Sequence, residues 1–309
     1  MEAIRTPVPS SEGLRLLAVH AHPDDESSKG AATMAAYVAA GARVMVATCT
    51  GGERGDILNA AVGELAHAHR DLGGVRRIEM AEAAAAIGIE HRWLGYVDSG
   101  LPEGDPLPPL PAGCFALQPV ERAAAPLVKV IREFKPQVMT TYDENGGYPH
   151  PDHIHTHSVS MFAFDAAADP EYRPELGEPW TVSKVYYDRG FSPEKFIGLH
   201  EAMESAGLES PYAERVAFLR ENSDHQMFTW VKNHPTTTRI YSSDFFAVRD
   251  NALRAHRTQI DPEGFFFAVP GEVATSAYPW EDFTLARTRV EDYTLDPEQP
   301  ETDLFAGLR

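Results

Sequence analysis

The chain has 309 residues, 43% hydrophobic and 24% charged, with no long apolar run; this fits a globular protein able to bury a core and argues against a helical membrane protein or a disordered chain. Its 27 basic against 46 acidic residues give a net charge of −19, a field that repels polyphosphate backbones and anionic membrane surfaces, so neither nucleic acid nor a membrane is an expected partner. Cys49 and Cys114 lie far apart in no metal-binding spacing, and the first residues resemble neither an export signal nor a transit peptide, so reduced thiols and a cytoplasmic location are expected.

In chain order, "LRLLAVHA" (14–21) reads as a buried strand, followed by "HPDDE" and an Ala-rich helix from Glu26 to Ala40 that Gly41 stops. "RVMVATCT" (43–50) is the next strand, and "GGERGD" follows it. A helix over 75–88 closes at Gly88, a short strand covers 91–98, and the proline-rich run from Gly100 to Gly113 reads as an extended surface loop. A helix over 120–134, with Pro126 as a kink point, leads to a strand over 137–143, then "DENGGYPHPDH" and a helical stretch to residue 168. This βαβ alternation predicts an α/β fold, a Rossmann-like, mostly parallel sheet flanked by helices. Residues 1–168 form the expected catalytic core. From 169 to 309 the rhythm changes, with helical stretches at 211–222 and 244–258 and strand-like pieces at 182–188 and 236–242, predicting a smaller α+β portion that completes the substrate cleft.

In doubly wound sheets ligands sit beyond the carboxyl ends of the strands, where "HPDDE", "GGERGD" and "DENGGYPHPDH" all fall. A catalytic zinc takes three imidazole or carboxylate ligands and leaves room for water. His22 and Asp25, three apart across a tight turn, and His153 from the other loop supply such a set; iron would also suit it. Asp24 is then free to serve as general base. Tyr148 and His150, the latter if protonated, are placed to stabilise an oxyanion, and Asp152 to orient an imidazole. Gly51 and Gly52 let the backbone pass close to the site, while Glu53 or Arg54 meets substrate or forms a structural ion pair. Glu26 is expected only to start the helix, His20 to be packed, and His67, His69, His155 and His157 to be structural or solvated.

"AHPDDE" followed by "YPHPDH" resembles the LmbE-like (PIG-L) zinc-dependent deacetylases, and further stretches, "TGGERGDILN", "WLGYVDSGLPEGD" and "LRAHRTQIDP", extend the likeness over most of the chain. The resemblance implies zinc on His22, Asp25 and His153, Asp24 as general acid and base, and Tyr148 and His150 at the tetrahedral intermediate. It also implies sugar-binding roles for Arg76 and Asp98. A lysine at position 29 implies the branch that cleaves the amide between glucosaminyl-inositol and an N-acetylcysteine S-conjugate, with Lys29 touching the conjugate. The implied alternatives are an N-acetylglucosaminyl-inositol deacetylase and a biosynthetic amidase acting on a thiol-tagged natural product. Arg257 stands where the family often has a small residue, leaving His256 as the substrate-contacting member of that pair. The expected partner is a small thiol conjugate; the likeness carries no oligomeric state.

Overall fold

The computed structural model describes residues 5–222, 233–296 and 298–309. Strands β1 (Arg15–His20), β2 (Arg43–Thr50), β3 (Glu90–Tyr96), β4 (Val138–Thr141) and β5 (Lys184–Asp188) pair in parallel, and β7 (Trp280–Thr288) pairs antiparallel with both β5 and β6 (Thr238–Tyr241). The resulting seven-stranded order is β3-β2-β1-β4-β5-β7-β6. The helices are α1 (Asp25–Ser28), α2 (Ala31–Ala39), α3 (Ala60–Gly63), α4 (Ala66–Arg70), α5 (Leu72–Ile87), α6 (Val120–Phe134), α7 (Pro151–Ala166), α8 (Pro193–Ser205), α9 (Ala213–Glu221), α10 (Phe246–Ala255) and α11 (Gly271–Ala277).

The central strands are apolar almost throughout because helices cover both faces. Side chains alternate across a strand, so Leu17, Val19, Met45 and Ala47 pack with Leu127 and Ile131 of α6 and Val159 and Phe164 of α7. Leu16, Ala18, Val44 and Val46 point the other way, into Met34 and Tyr37 of α2, Ala83 and Ile87 of α5 and Ala252 of α10. A third, smaller core joins Phe196 and Leu199 of α8, Val216 of α9, Tyr212 and Tyr278.

Helix ends follow local chemistry. The Asp71 carboxylate accepts the Gly74 amide hydrogen at the start of α5, and Gly88, at φ 85°, closes it in the left-handed conformation that glycine adopts without a Cβ penalty. α6 spans Pro126 without interruption. The helix expected from Glu26 to Ala40 is instead two, α1 and α2, separated at Lys29 and Gly30, whose φ of 91° no helix continues through.

Among the described residues the segment after residue 168 builds no sheet of its own: β5, β7 and β6 lengthen the first one. α8, α11 and β7 were not legible in the sequence; β7 carries Glu281, Asp282 and Arg287, and the buried Asp282 belongs there because Ser192 and Tyr278 donate to its carboxylate. Cys49 and Cys114 are buried free thiols, and burial pushes the Cys49 thiol up to about 12. Among the described residues no helix is long and apolar enough to cross a membrane.

Candidate active site

The five parallel strands bring their carboxyl ends to one edge, and the chain reverses direction across the sheet between β1 and β4. At that switch point a crevice opens in such sheets, and the loops after β1 and β4 face each other across it. His22 Nδ1 lies 3.5 Å from Asp25 Oδ2, His153 Nε2 3.4 Å from the same oxygen, and the two imidazole nitrogens 3.3 Å apart. Ligand atoms about 2.0–2.1 Å from an ion at tetrahedral angles stand about 3.3–3.4 Å from one another, so the triangle fits a divalent metal.

Each of the three candidate ligands is fixed by a partner behind it, as in metal sites. His22 Nε2 faces Asp152 Oδ2 at 3.2 Å, which leaves Nδ1 with a free lone pair. His153 Nδ1 faces the Gly146 carbonyl at 3.0 Å, freeing Nε2. Asp25 Oδ1 accepts from Lys29 Nζ at 2.6 Å, and its Oδ2 accepts the His22 amide hydrogen at 2.9 Å. Burial alone would push the His22 imidazole down, yet Asp152, Asp25 and Asp98 raise it well above its ordinary value. Asp25 is held well below the carboxylate range, because His153 and Lys29 outweigh its burial. His22, His150 and Asp152 form a second such group. Asp152 is already engaged there, however, by the Ser99 amide at 2.9 Å, the Ser99 hydroxyl and His22.

Asp24 adopts φ 113°, a left-handed conformation rare outside glycine and costly to hold. Two contacts hold it. Its amide donates to Glu26 Oε2 at 2.9 Å, and its carboxylate accepts from Arg76 Nη2 at 3.0 Å. Arg76 also donates to the carbonyls of Gly52 and Pro23. Gly52 has φ 65°, and a Cβ there or on Gly55 would run into the Arg76 guanidinium, so these two glycines of "GGERGD" make room for this arginine. Burial, reinforced by Asp25, raises the Asp24 carboxyl against the pull of Arg76, a direction that suits a proton acceptor.

His150 lies at the start of α7, where its Nδ1 accepts the Asp152 amide hydrogen at 3.1 Å. Burial, with His22 and His153 beside it, lowers the imidazole to about 4. Burial thus favours the neutral ring, and with Nδ1 accepting, its hydrogen would sit on Nε2; the oxyanion role expected of His150 is conditional on a protonated ring. Tyr148 is 42% exposed, its ring centred 4.5 Å from that of His153, and burial beside Asp25 and Asp24 keeps its hydroxyl protonated.

The five residues expected to touch substrate are engaged by the protein itself. Glu53 accepts the Asp98 amide hydrogen at 3.1 Å, and Asp98 accepts from the amides of Arg54 and Gly100. Arg76 braces Asp24. Lys29 is buried against Asp25 and Ser28, because the break after α1 turns it back onto the cluster. His256 is wholly buried, its Nε2 2.6 Å from Glu26 Oε1, while Arg257 lies outside against Glu82. Glu26 corrects the expectation set for it: it is completely buried and ties His256 to the Asp24 backbone. Ser99 and Tyr142 were missed. Tyr142 stacks on His153 with ring centres 4.3 Å apart, and its hydroxyl accepts the Ala21 amide hydrogen at 2.9 Å. Its place at the end of "TTYD", just beyond β4, was the available signal. His20 is packed as expected, and burial lowers it to about 4.

The parallel sheet carries a His-Asp-His triangle that could hold a metal beside a braced carboxylate, in an α/β protein. The family model described as "PIG-L: GlcNAc-PI de-N-acetylase" matches residues 17–164. The chain is 54% identical over 301 residues to a mycothiol S-conjugate amidase of Streptomyces coelicolor, covering 97% of this chain and 99% of that protein. A 1D-myo-inositol 2-acetamido-2-deoxy-alpha-D-glucopyranoside deacetylase of Streptomyces scabiei is 42% identical, with 97% and 91% covered. The N,N'-diacetylchitobiose deacetylase from Pyrococcus horikoshii shares the fold at a TM-score of 0.57 and 16% identity, with 88% and 83% covered. The chain belongs to the PIG-L family, enzymes that hydrolyse amide bonds.

Proposed function

We propose that this protein is a zinc-dependent amidohydrolase that cleaves mycothiol S-conjugates, releasing a mercapturic acid and glucosaminyl-inositol in the cytoplasm. The observation that carries the substrate is 54% identity to an amidase of that name across nearly the whole of both chains. The ligand triangle and the braced Asp24 support the chemistry. His22, Asp25 and His153 would hold the ion, which when bound polarises the amide carbonyl and acidifies water. Asp24 takes the proton of the attacking water and returns it to the leaving amine. Arg76 and Glu26 keep its carboxylate and backbone in place meanwhile. His150, through Nε2–H, and the Tyr148 hydroxyl donate to the oxyanion. Asp152 fixes the tautomer of His22 and, through its amide, that of His150.

The second reading is the deacetylase, which the 42% identity to such an enzyme favours; a biosynthetic amidase would use the same chemistry. Amine release from a mycothiol conjugate, assayed beside acetate release from N-acetylglucosaminyl-inositol, separates these. The conjugate is expected to be the better substrate of the zinc-loaded protein. Asp24→Asn is expected to lower kcat about 10²–10⁴-fold with metal content unchanged by elemental analysis. Equal turnover by the variant would remove Asp24 from the mechanism.

A further inference from the structure

Near the His22, Asp25 and His153 triangle lies an open cleft, with about 670 Å³ of space counting its solvent-filled mouth. Phe191 and Phe265 stand at its mouth, 37% and 43% exposed, their ring centres 6.3 Å apart. Phe196 and Tyr212 continue the wall behind them, 6.2 and 5.5 Å from the Phe265 ring. Among the described residues the lining holds no carboxylate in a chain of net charge −19, and its two cations, Lys195 and Arg249, are engaged by the Gly190 carbonyl and by Asp250.

Lys29 joins this cleft to the ligand triangle. Its Nζ lies 2.6 Å from Asp25 Oδ1 and 5.7 Å from the centre of the Phe191 ring, while the adjacent Ser28 lines the cleft directly. In a cysteine S-conjugate the first atom of the substituent is four bonds from the scissile carbonyl carbon, a reach of about 5 Å at ordinary bond lengths. A carbonyl at the triangle would direct the sulfur substituent past Lys29 toward Phe191 and the mouth of the cleft.

We propose that this cleft receives the S-substituent of the conjugate and selects flat aromatic groups, neutral or anionic, stacked between Phe191 and Phe265. The proposal rests on the amidase reading above. Offset and edge-on ring packing rewards an aromatic guest beyond the area it buries, and a small alkyl substituent leaves the cleft unfilled.

The test compares S-benzyl and S-methyl conjugates as substrates of the zinc-loaded wild type, Phe191→Ala and Phe265→Ala. Binding of the product-like probes N-acetyl-S-benzylcysteine and N-acetyl-S-methylcysteine is followed by calorimetry. The wild type is expected to favour benzyl over methyl in kcat/KM by about tenfold or more, and each variant to lose most of that ratio, with benzyl binding weakened in parallel. The ratio is internal to each variant, so partial loss of folded enzyme does not change it. A wild type with no preference, or variants that keep the wild-type ratio, would overturn the assignment of the cleft and leave the amidase reading intact. A wild type that hydrolyses acetylated glucosaminyl-inositol but neither conjugate would overturn the amidase reading and this proposal with it.

Discussion

At the scale of single residues, a buried pair, Glu26 and His256, stands behind Asp24. Glu26 is pulled down to about 2, because His256 outweighs the effect of burial, and His256 is raised above its ordinary value because Glu26 outweighs its burial. A carboxyl lowered on folding stabilises above its unfolded value near 4.5, and that stability is lost as pH falls toward 2; an imidazole raised on folding stabilises below 6.5 and loses its contribution as pH climbs through the folded value. The pair therefore contributes most between about pH 4.5 and 6.5. His256→Gln is expected to cost about 3–5 kcal/mol in that window, since it leaves Glu26 buried without its charge partner, and kcat should fall with KM held because Glu26, which holds the Asp24 backbone, loses its anchor. Thermal unfolding from pH 5 to 9 checks the first point: a gap between wild type and variant that fails to narrow at high pH would contradict the pairing.

At the scale of the element, loops at strand ends carry the candidate ligands and glycines set their paths. Gly146, at φ 74°, offers its carbonyl to His153, and a Cβ there would stand 2.5 Å from that of His153. Gly146→Ala is expected to shift His153 and weaken metal binding about 10–100-fold, as loss of a partner behind a ligand does; competition with a chelator measures it. These loops were legible in the sequence because a strand's polar end and an i, i+3 His-Asp spacing are local patterns. Lys29 and Glu26 were not, for a physical reason. Whether an acidic or basic residue near a helix start faces water or a buried partner depends on what packs against it, and the partner of Glu26 is 230 positions away. Likewise the protein contacts of Asp98 and His256, given substrate roles from "VDSG" and "AHRTQ", were not legible: both are buried and hold other parts of the site.

At the scale of the whole molecule, the sheet joins the segments expected as core and companion. β4 lies against β5, so a fragment of residues 1–168 would leave one side of the central sheet unpaired and uncover part of its apolar face. Such a fragment is expected to show no cooperative unfolding transition and to bind no metal, readable by calorimetry and metal analysis; a cooperative transition would establish the first segment as an independent unit. The sheet order has a consequence for synthesis as well. β7 is the last strand of the sheet to be made, yet it lies inside it, between β5 and β6. As the polypeptide emerges from the ribosome, the apolar edge of β5 waits unpaired until the chain has grown past Thr288. An open edge of that kind is a template for pairing with other nascent chains, which makes yield of the folded protein sensitive to expression rate and to chaperone supply.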